Sequence, residues 1–289
     1  MRDLLHFSLQ LDKKKLSIYI IMTTNPLYFV HISDTHFGPT KDYKIHGYDA
    51  YSCAQKLVYT INNLPLKPDF VIHTGDVATD PYSRAYELAA ETFASLSVPI
   101  YYAVGNHDSV EGIRRHLKMG AKEELGDPSL LCYAFTAKDN RFLVVDAKGP
   151  AEIGAAGLLS EKQLALIQQE VTTTEFPLTI FMHFPILPLD SGWFDEKGLV
   201  LNGELMHQAL LPMRQRLRGV FFGHIHQHMQ MLRDGILYVS VASAVNQFAA
   251  WPNTADPSQN ADPFPGYNFV HLLPEQTIVH HHTFPHPNS

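Results

Sequence analysis

An α/β domain with mixed sheets, spanning residues 26–285, is the fold class this sequence predicts. Three observations carry it. Short apolar runs rich in Val, Ile and Phe alternate with helical repeats through the first two thirds of the chain. The last third is richer in strand-like sequence. Five of the strands end in Asp, Asn or His, and ligands in α/β folds gather at the carboxyl ends of strands.

The elements follow in order. Leu27 to Ser33 reads as a strand. Tyr51, Ala54, Val58 and Ile61 repeat at helical spacing, so 48–63 is a helix stopped by Pro65 and Pro68. Phe70 to His73 is a short buried strand. A second helix carries Tyr86, Ala89, Phe93 and Leu96 on one face. Ile100 to Val104 is the next strand, followed by a helix near 110–119. Leu131 to Thr136 and Phe142 to Asp146 form an antiparallel pair about a turn at Lys138-Asp139-Asn140. Ser160 with Gln163 is a capping-box signature that opens a helix with Leu164, Ile167 and Val171 inward. Leu178 to Met182 is a strand, followed by a long loop containing Pro185, Pro188, Gly192 and Trp193. Leu205, Ala209, Met213 and Leu217 mark a further helix, and Val220 to Phe222 a strand. Strands over 227–233, 236–242, 268–273 and 277–284 complete the chain, with a long irregular loop at 246–266.

Composition limits the function. The chain has 289 residues, 45% hydrophobic and 18% charged, as ordinary globular proteins have. Its 22 basic against 29 acidic residues, net −7, argue against a nucleic-acid polymer as partner, because phosphate backbones need basic stripes. Lys13-Lys14-Lys15 is the only basic run. No stretch of 18 apolar residues is present, so no membrane span is expected. Residues 1–25 read as a leader outside the core, with Met22 as an alternative start. Cys53 and Cys132 read as buried thiols, and a cytoplasmic protein is expected. Oligomeric state is not legible.

The strand ends hold the chemistry. Asp34 and His36 lie two residues apart in extended chain and so point the same way. Asp76 follows the second strand, Asn106 and His107 the third, His183 a later one, and His224 with His226 the next. Gly75, Gly105 and Gly223 precede three of these groups, where glycine permits a sharp turn out of the strand. Oxygen and imidazole donors without thiolate suit Mn, Fe, Zn or Mg.

The ordered blocks Asp34-x-His36, Gly75-Asp76, Gly105-Asn106-His107-Asp108, Met182-His183-Phe184-Pro185 and Gly223-His224-x-His226 resemble the calcineurin-like metallophosphoesterase superfamily. Within it, the chain looks most like the class III cyclic-nucleotide phosphodiesterases. The resemblance implies a four-layer α/β/β/α sandwich of two mixed sheets flanked by helices, holding two divalent metal ions, Mn or Fe above all. Asp34, His36, Asp76 and His226 would hold one ion; Asp76, Asn106, His183 and His224 the other, with Asp76 bridging. Two carboxylates against two such ions leave about +2 of charge to attract a phosphate. The ions share a water, lower its pKa and aim it in line at phosphorus. His107 would assist the leaving oxygen as a general acid. Asn106, His107 and Trp193 are the candidate substrate contacts. Trp193, Phe194, Phe248 and Trp251 could stack on a base or simply pack the loops.

The resemblance departs at one point. Many members have, three residues after the bridging Asp, a second Asp that orients the catalytic His; here Thr79 stands there, with Asp80 one further. Either Asp80 serves instead or His107 has no carboxylate behind it. The expected activity is hydrolysis of small phosphodiesters, 3′,5′-cyclic nucleotides first. A phosphomonoesterase or nucleotide pyrophosphatase on the same centre is the second reading, although no extra cationic side chain for a monoester dianion is recognisable. A non-catalytic scaffold, which one superfamily member has become, is the reading from another class.

Overall fold

The computed structural model describes residues 26–257 and 264–287. The leader reading of residues 1–25 and part of the long loop, 258–263, lie outside them. In chain order the elements begin with β1 (Leu27–Ile32), a small hairpin of β2 (Lys44–Ile45) and β3 (Tyr48–Asp49), α1 (Ala50–Asn62), β4 (Phe70–His73), α2 (Ser83–Phe93), β5 (Ile100–Tyr102) and α3 (Val110–His116). Next come β6 (Glu123–Glu124), β7 (Tyr133–Ala137), β8 (Asn140–Val144), a 3₁₀ turn at Ala151–Ile153, α4 (Glu161–Thr173), β9 (Leu178–Phe181), α5 (Gly192–Lys197) and α6 (Gly203–Leu210). A second 3₁₀ turn at Leu211–Met213 leads to β10 (Leu217–Phe222), β11 (Gln230–Arg233), β12 (Ile236–Ser240), β13 (Gly266–Leu273) and β14 (Gln276–Thr283).

Two mixed sheets result. One has the order β14-β13-β1-β4-β5 and the other β11-β12-β10-β9-β8-β7-β6. Strands β1, β4 and β5 run parallel, as do β8, β9, β10 and β12. Alternation along the strands assigns their two faces. Phe181 and Phe221 join Phe29, Phe70 and Phe142 in the core between the sheets, where Phe29 meets Phe181 at 5.4 Å and Phe221 at 5.3 Å between ring centroids. Ile180, Val220 and Phe222 point the other way and pack with Ile167 and Val171 of α4 and Met206 and Leu210 of α6. On the first sheet α1 and α2 add Leu57, Ile61, Leu88 and Ala89 to the core. The layers are therefore helix, sheet, sheet, helix, as expected.

Local signals explain most boundaries. Asp49 caps α1 by accepting the Ser52 N–H at 2.9 Å. Ser160 and Gln163 make both bonds of the capping box that opens α4. Lys138 and Asp139 adopt φ of 45° and 58°, the left-handed pair of a tight hairpin turn between β7 and β8. The helix expected over Leu205 to Leu217 is corrected. It ends at Leu210, Pro212 falls in the 3₁₀ turn, and Leu217 opens β10. Its buried face is Met206, His207 and Leu210, whereas Leu205 is exposed. Leu96 likewise lies beyond the end of α2.

Candidate metal centre

The carboxyl ends of β1, β4 and β5 in one sheet meet those of β9 and β10 in the other. Every polar residue singled out at those ends arrives in one place. Among the described residues, Asp34, His36 and His226 form one group able to hold a metal ion, and Asp76, His183 and His224 another, each with its donor atoms within 4.8 Å of one another. All six residues are buried. Asp76 Oδ2 lies 3.3 Å from His183 Nε2 and 4.0 Å from His36 Nε2, so it stands between the groups. Asn106 Oδ1 is 3.1 Å from His183 Nε2, which adds it to the second group.

The donor set fits a cation. His226 donates its Nδ1–H to the Asn246 carbonyl at 2.9 Å, which fixes the tautomer and leaves a lone pair on Nε2. That lone pair faces Asp34 Oδ1 at 3.2 Å, a buried carboxylate oxygen without a hydrogen-bond donor. Two lone pairs held together away from water call for a positive charge between them. In the second group His183 donates Nδ1–H to the Thr74 carbonyl at 2.8 Å. Burial pulls the His183 ring down, yet the charge and hydrogen bond of Asp76 outweigh it and raise the ring to about 9. A proton is thus drawn to the place where a metal ion would sit. Burial, joined by the charge of His183, holds His224 down at about 3, so that ring is neutral and able to ligate.

Backbone geometry at the site is unusual. Five of the ten non-glycine residues with positive φ among the described residues are Asp34, His36, Asp76, His224 and His226. Such conformations cost on the order of 1–3 kcal/mol each and cluster at functional sites. The glycines act differently from expectation. Gly75 has φ of +101° and does serve a turn. Gly105 and Gly223 do not have positive φ; they are needed for space. A Cβ on Gly105 would stand 2.1 Å from Asp76 Oδ1, and one on Gly223 2.0 Å from Ser33 Oγ.

His107 is exposed at the mouth, edge-on to His36 at 5.3 Å between centroids. Its backbone N–H donates to Asp76 Oδ1 at 2.9 Å. Its Nδ1–H is held by the Thr79 carbonyl at 2.7 Å, not by the Asp80 carboxylate. Of the two arrangements left open by the sequence, His107 therefore has no carboxylate behind it. Asp80→Asn should change turnover by less than about twofold, as substitutions away from structured contacts do; a loss beyond tenfold in steady-state rate would show that Asp80 does orient the ring.

The aromatic candidates separate. Phe248 lies flat on His226, with centroids 4.0 Å apart and planes at 9°, and so backs a site histidine. Phe194 is fully buried, 5.8 Å from His224, and is core and not a base platform. Trp193 is half-buried and meets Phe194 edge-on at 5.1 Å, one layer away from the site residues. Trp251 is exposed.

Sequence reasoning missed two residues. Asp108 is buried and accepts the N–H groups of Val77, Ala78 and Gly105 at 3.1 Å each and the Tyr86 hydroxyl at 3.2 Å, tying together the loops that carry Asp76 and His107. Burial and the Asp76 charge push its carboxyl up to about 6. Lys148 donates its ammonium to the Asp108 carbonyl, which puts an exposed cation against the residue that follows His107. The signal for it was Asp146, a polar residue closing β8 as others close their strands.

The chain is similar to known proteins over the stretch that carries these residues. The calcineurin-like phosphoesterase family model matches residues 27–228. The chain is 27% identical over 245 residues to CpdA, a 3′,5′-cyclic adenosine monophosphate phosphodiesterase of Pseudomonas aeruginosa, covering 84% of each chain. It is 25% identical over 258 residues to the glycerophosphodiester phosphodiesterase GpdQ of Enterobacter lignolyticus, covering 89% of this chain and 91% of that one. Among solved structures, GAP50, the anchor in the inner membrane complex of Plasmodium, superposes with a TM-score of 0.57 over 89% of this chain and 84% of its own. At 14% identity it shares the fold alone. No helix among the described residues is long and apolar enough to cross a membrane. With its motif blocks gathered at one pocket and the family match spanning them, the chain belongs to the calcineurin-like phosphoesterases, hydrolases of phosphoric esters.

Proposed function

We propose that the protein hydrolyses small phosphodiesters, with 3′,5′-cyclic nucleotides as the type substrate, at a centre of two divalent ions. The observation that carries this reading is the position of Asp76 Oδ2 between two donor groups that each want positive charge. Asp34, His36, Asp76 and His226 would hold one ion; Asp76, Asn106, His183 and His224 would hold the other. Ions so held supply Lewis acidity and a water of lowered pKa.

The protein's own groups do the rest. Burial of the six groups keeps bulk water out, so charge interactions with a phosphate are weakly screened. The Asn246 and Thr74 carbonyls orient His226 and His183 and keep their Nε2 atoms on the pocket side. The Thr79 carbonyl, by holding His107 Nδ1–H, leaves Nε2 to hand a proton to the leaving oxygen. The relatives named for cyclic nucleotides and for glycerophosphodiesters both support diester substrates. A scaffold has no use for a donor set kept complete with an exposed His107 beside it. The oxygen and imidazole donors admit Mn²⁺, Fe²⁺, Zn²⁺ or Mg²⁺, the family resemblance favours Mn²⁺ or Fe²⁺, and the free thiols of Cys53 and Cys132 accord with a cytoplasmic place of action.

Chelation should abolish turnover of a cyclic nucleotide and of an aryl diester, and Mn²⁺ should restore it best. Full turnover by protein that elemental analysis finds metal-free would sink the reading.

A further inference from the structure

The cation against the Asp108 carbonyl is a built feature. Strand β8 ends at Val144, and two residues on Asp146 is buried. Its Oδ1 accepts the Lys148 N–H at 2.9 Å and its Oδ2 accepts the Leu131 N–H at 3.0 Å. The turn so fixed sends the Lys148 side chain across to the carbonyl of Asp108, the residue after His107. A carbonyl takes one of the three ammonium donors and none of the charge. The ammonium is exposed and makes no ion pair within 4.0 Å among the described residues, although the buried Asp146 carboxylate is near enough for the two charges to interact.

We propose that Lys148 reads a second negative charge on the substrate, carried by the leaving group beyond the oxygen that His107 serves. The inference rests on the phosphodiesterase reading and adds a class of acyclic diesters to it, since a 3′,5′-cyclic nucleotide carries no second charge on its leaving oxygen. The phosphoryl oxygens belong to the ion site, between Asp34 and Asp76. Lys148 is tethered one residue past His107, so its charge falls to whatever the leaving group carries. The class favoured is a diester whose leaving alcohol bears a further phosphate or a carboxylate. A leaving group with a quaternary ammonium is disfavoured by the same charge.

The test uses metal-reconstituted full-length protein and two methyl aryl phosphodiesters that differ only at the end of a para ethylene arm, carboxylate against trimethylammonium, so that the arm insulates the phenol and the two leaving groups are nearly equal in acidity. Wild type should favour the carboxylate ester in kcat/KM by about three- to tenfold, the size of a rim ion pair, and the preference should shrink in high salt. Lys148→Met should bring the ratio to about one, Lys148→Glu should invert it, and Lys148→Arg should keep it. A structural role in holding the Asp108 carbonyl would slow both esters alike and leave the ratio unchanged, which would overturn the proposal. A wild-type ratio of one would do the same. An aryl monoester is the third substrate: if Lys148→Met slows it alone, the lysine reads the phosphoryl group and the proposal is wrong. Should wild type turn over neither diester, the phosphodiesterase reading itself fails; calorimetric binding of the same two esters then decides Lys148 separately, equal affinities refuting it.

Discussion

His107→Ala is expected to slow turnover of a cyclic nucleotide by about 10²–10⁴ while both ions stay bound, the usual worth of a positioned acid or base. The ring is exposed at the mouth and its Nδ1–H is held by the Thr79 carbonyl, so its removal leaves the buried donor groups untouched. The loss should be smaller for a diester with an acidic phenol, which departs without needing a proton. It should be larger for the cyclic nucleotide, whose alkoxide is a poor leaving group. Metal analysis together with kcat on both substrates decides the point. Loss of metal from the variant, or equal slowing of both substrates, would remove the general-acid role.

Asp76→Asn should have the larger effect, on the order of 10³ or more in kcat/KM, because it acts on both ions and on preorganised charge at once. Asp76 Oδ2 is the atom shared between the two donor groups, and Oδ1 accepts the His107 N–H. The amide removes the shared charge and can present an N–H where a lone pair is needed. Elemental analysis should find both ions weakened, with the far-UV circular dichroism of the folded protein retained. A variant that kept both ions at wild-type affinity would show that Asp76 does not bridge.

Much of this centre was legible in the sequence because it is written in short blocks at strand ends. The apolar strands β1, β4, β9 and β10 announce themselves by composition, and each hands over to Asp or His. What could not be read depends on distance in space. A backbone carbonyl orients His107, and carbonyls leave no trace in residue type. Gly105 and Gly223 looked like turn residues, but the reason for glycine there is the neighbouring Asp76 and Ser33, which only the fold brings close. The face of α6 was misjudged because Leu205 and Leu217 share helical spacing with Met213, while Pro212 stops the helix between them. Lys148 was missed because a lysine in a loop carries no pattern; its meaning comes from the Asp146 turn behind it.

The left-handed backbone at Asp34, His36, Asp76, His224 and His226 bears on how the centre comes by its ions. Each of these residues stands within four positions of a hydrogen-bonded parallel strand, so the sandwich acts as a rack on which awkward conformations are fastened by neighbouring ladders. The Asp34 N–H, for example, is pinned to the Gly75 carbonyl at 3.0 Å and the His36 N–H to that of Asp76 at 3.1 Å. Fastened by ladder bonds of the sheets, a rack of this kind should be assembled by folding and not by the cargo it later takes, which thermal unfolding with and without chelator checks. Ions would then enter a cradle already formed, unlike the small zinc domains whose chains collapse around their metal. The cradle's imidazole and carboxylate donors do not discriminate sharply among first-row divalent ions. Donors of this kind would leave the choice among such ions to what the surroundings supply, and activity assays of the protein loaded with one ion at a time should then find turnover with more than one of them.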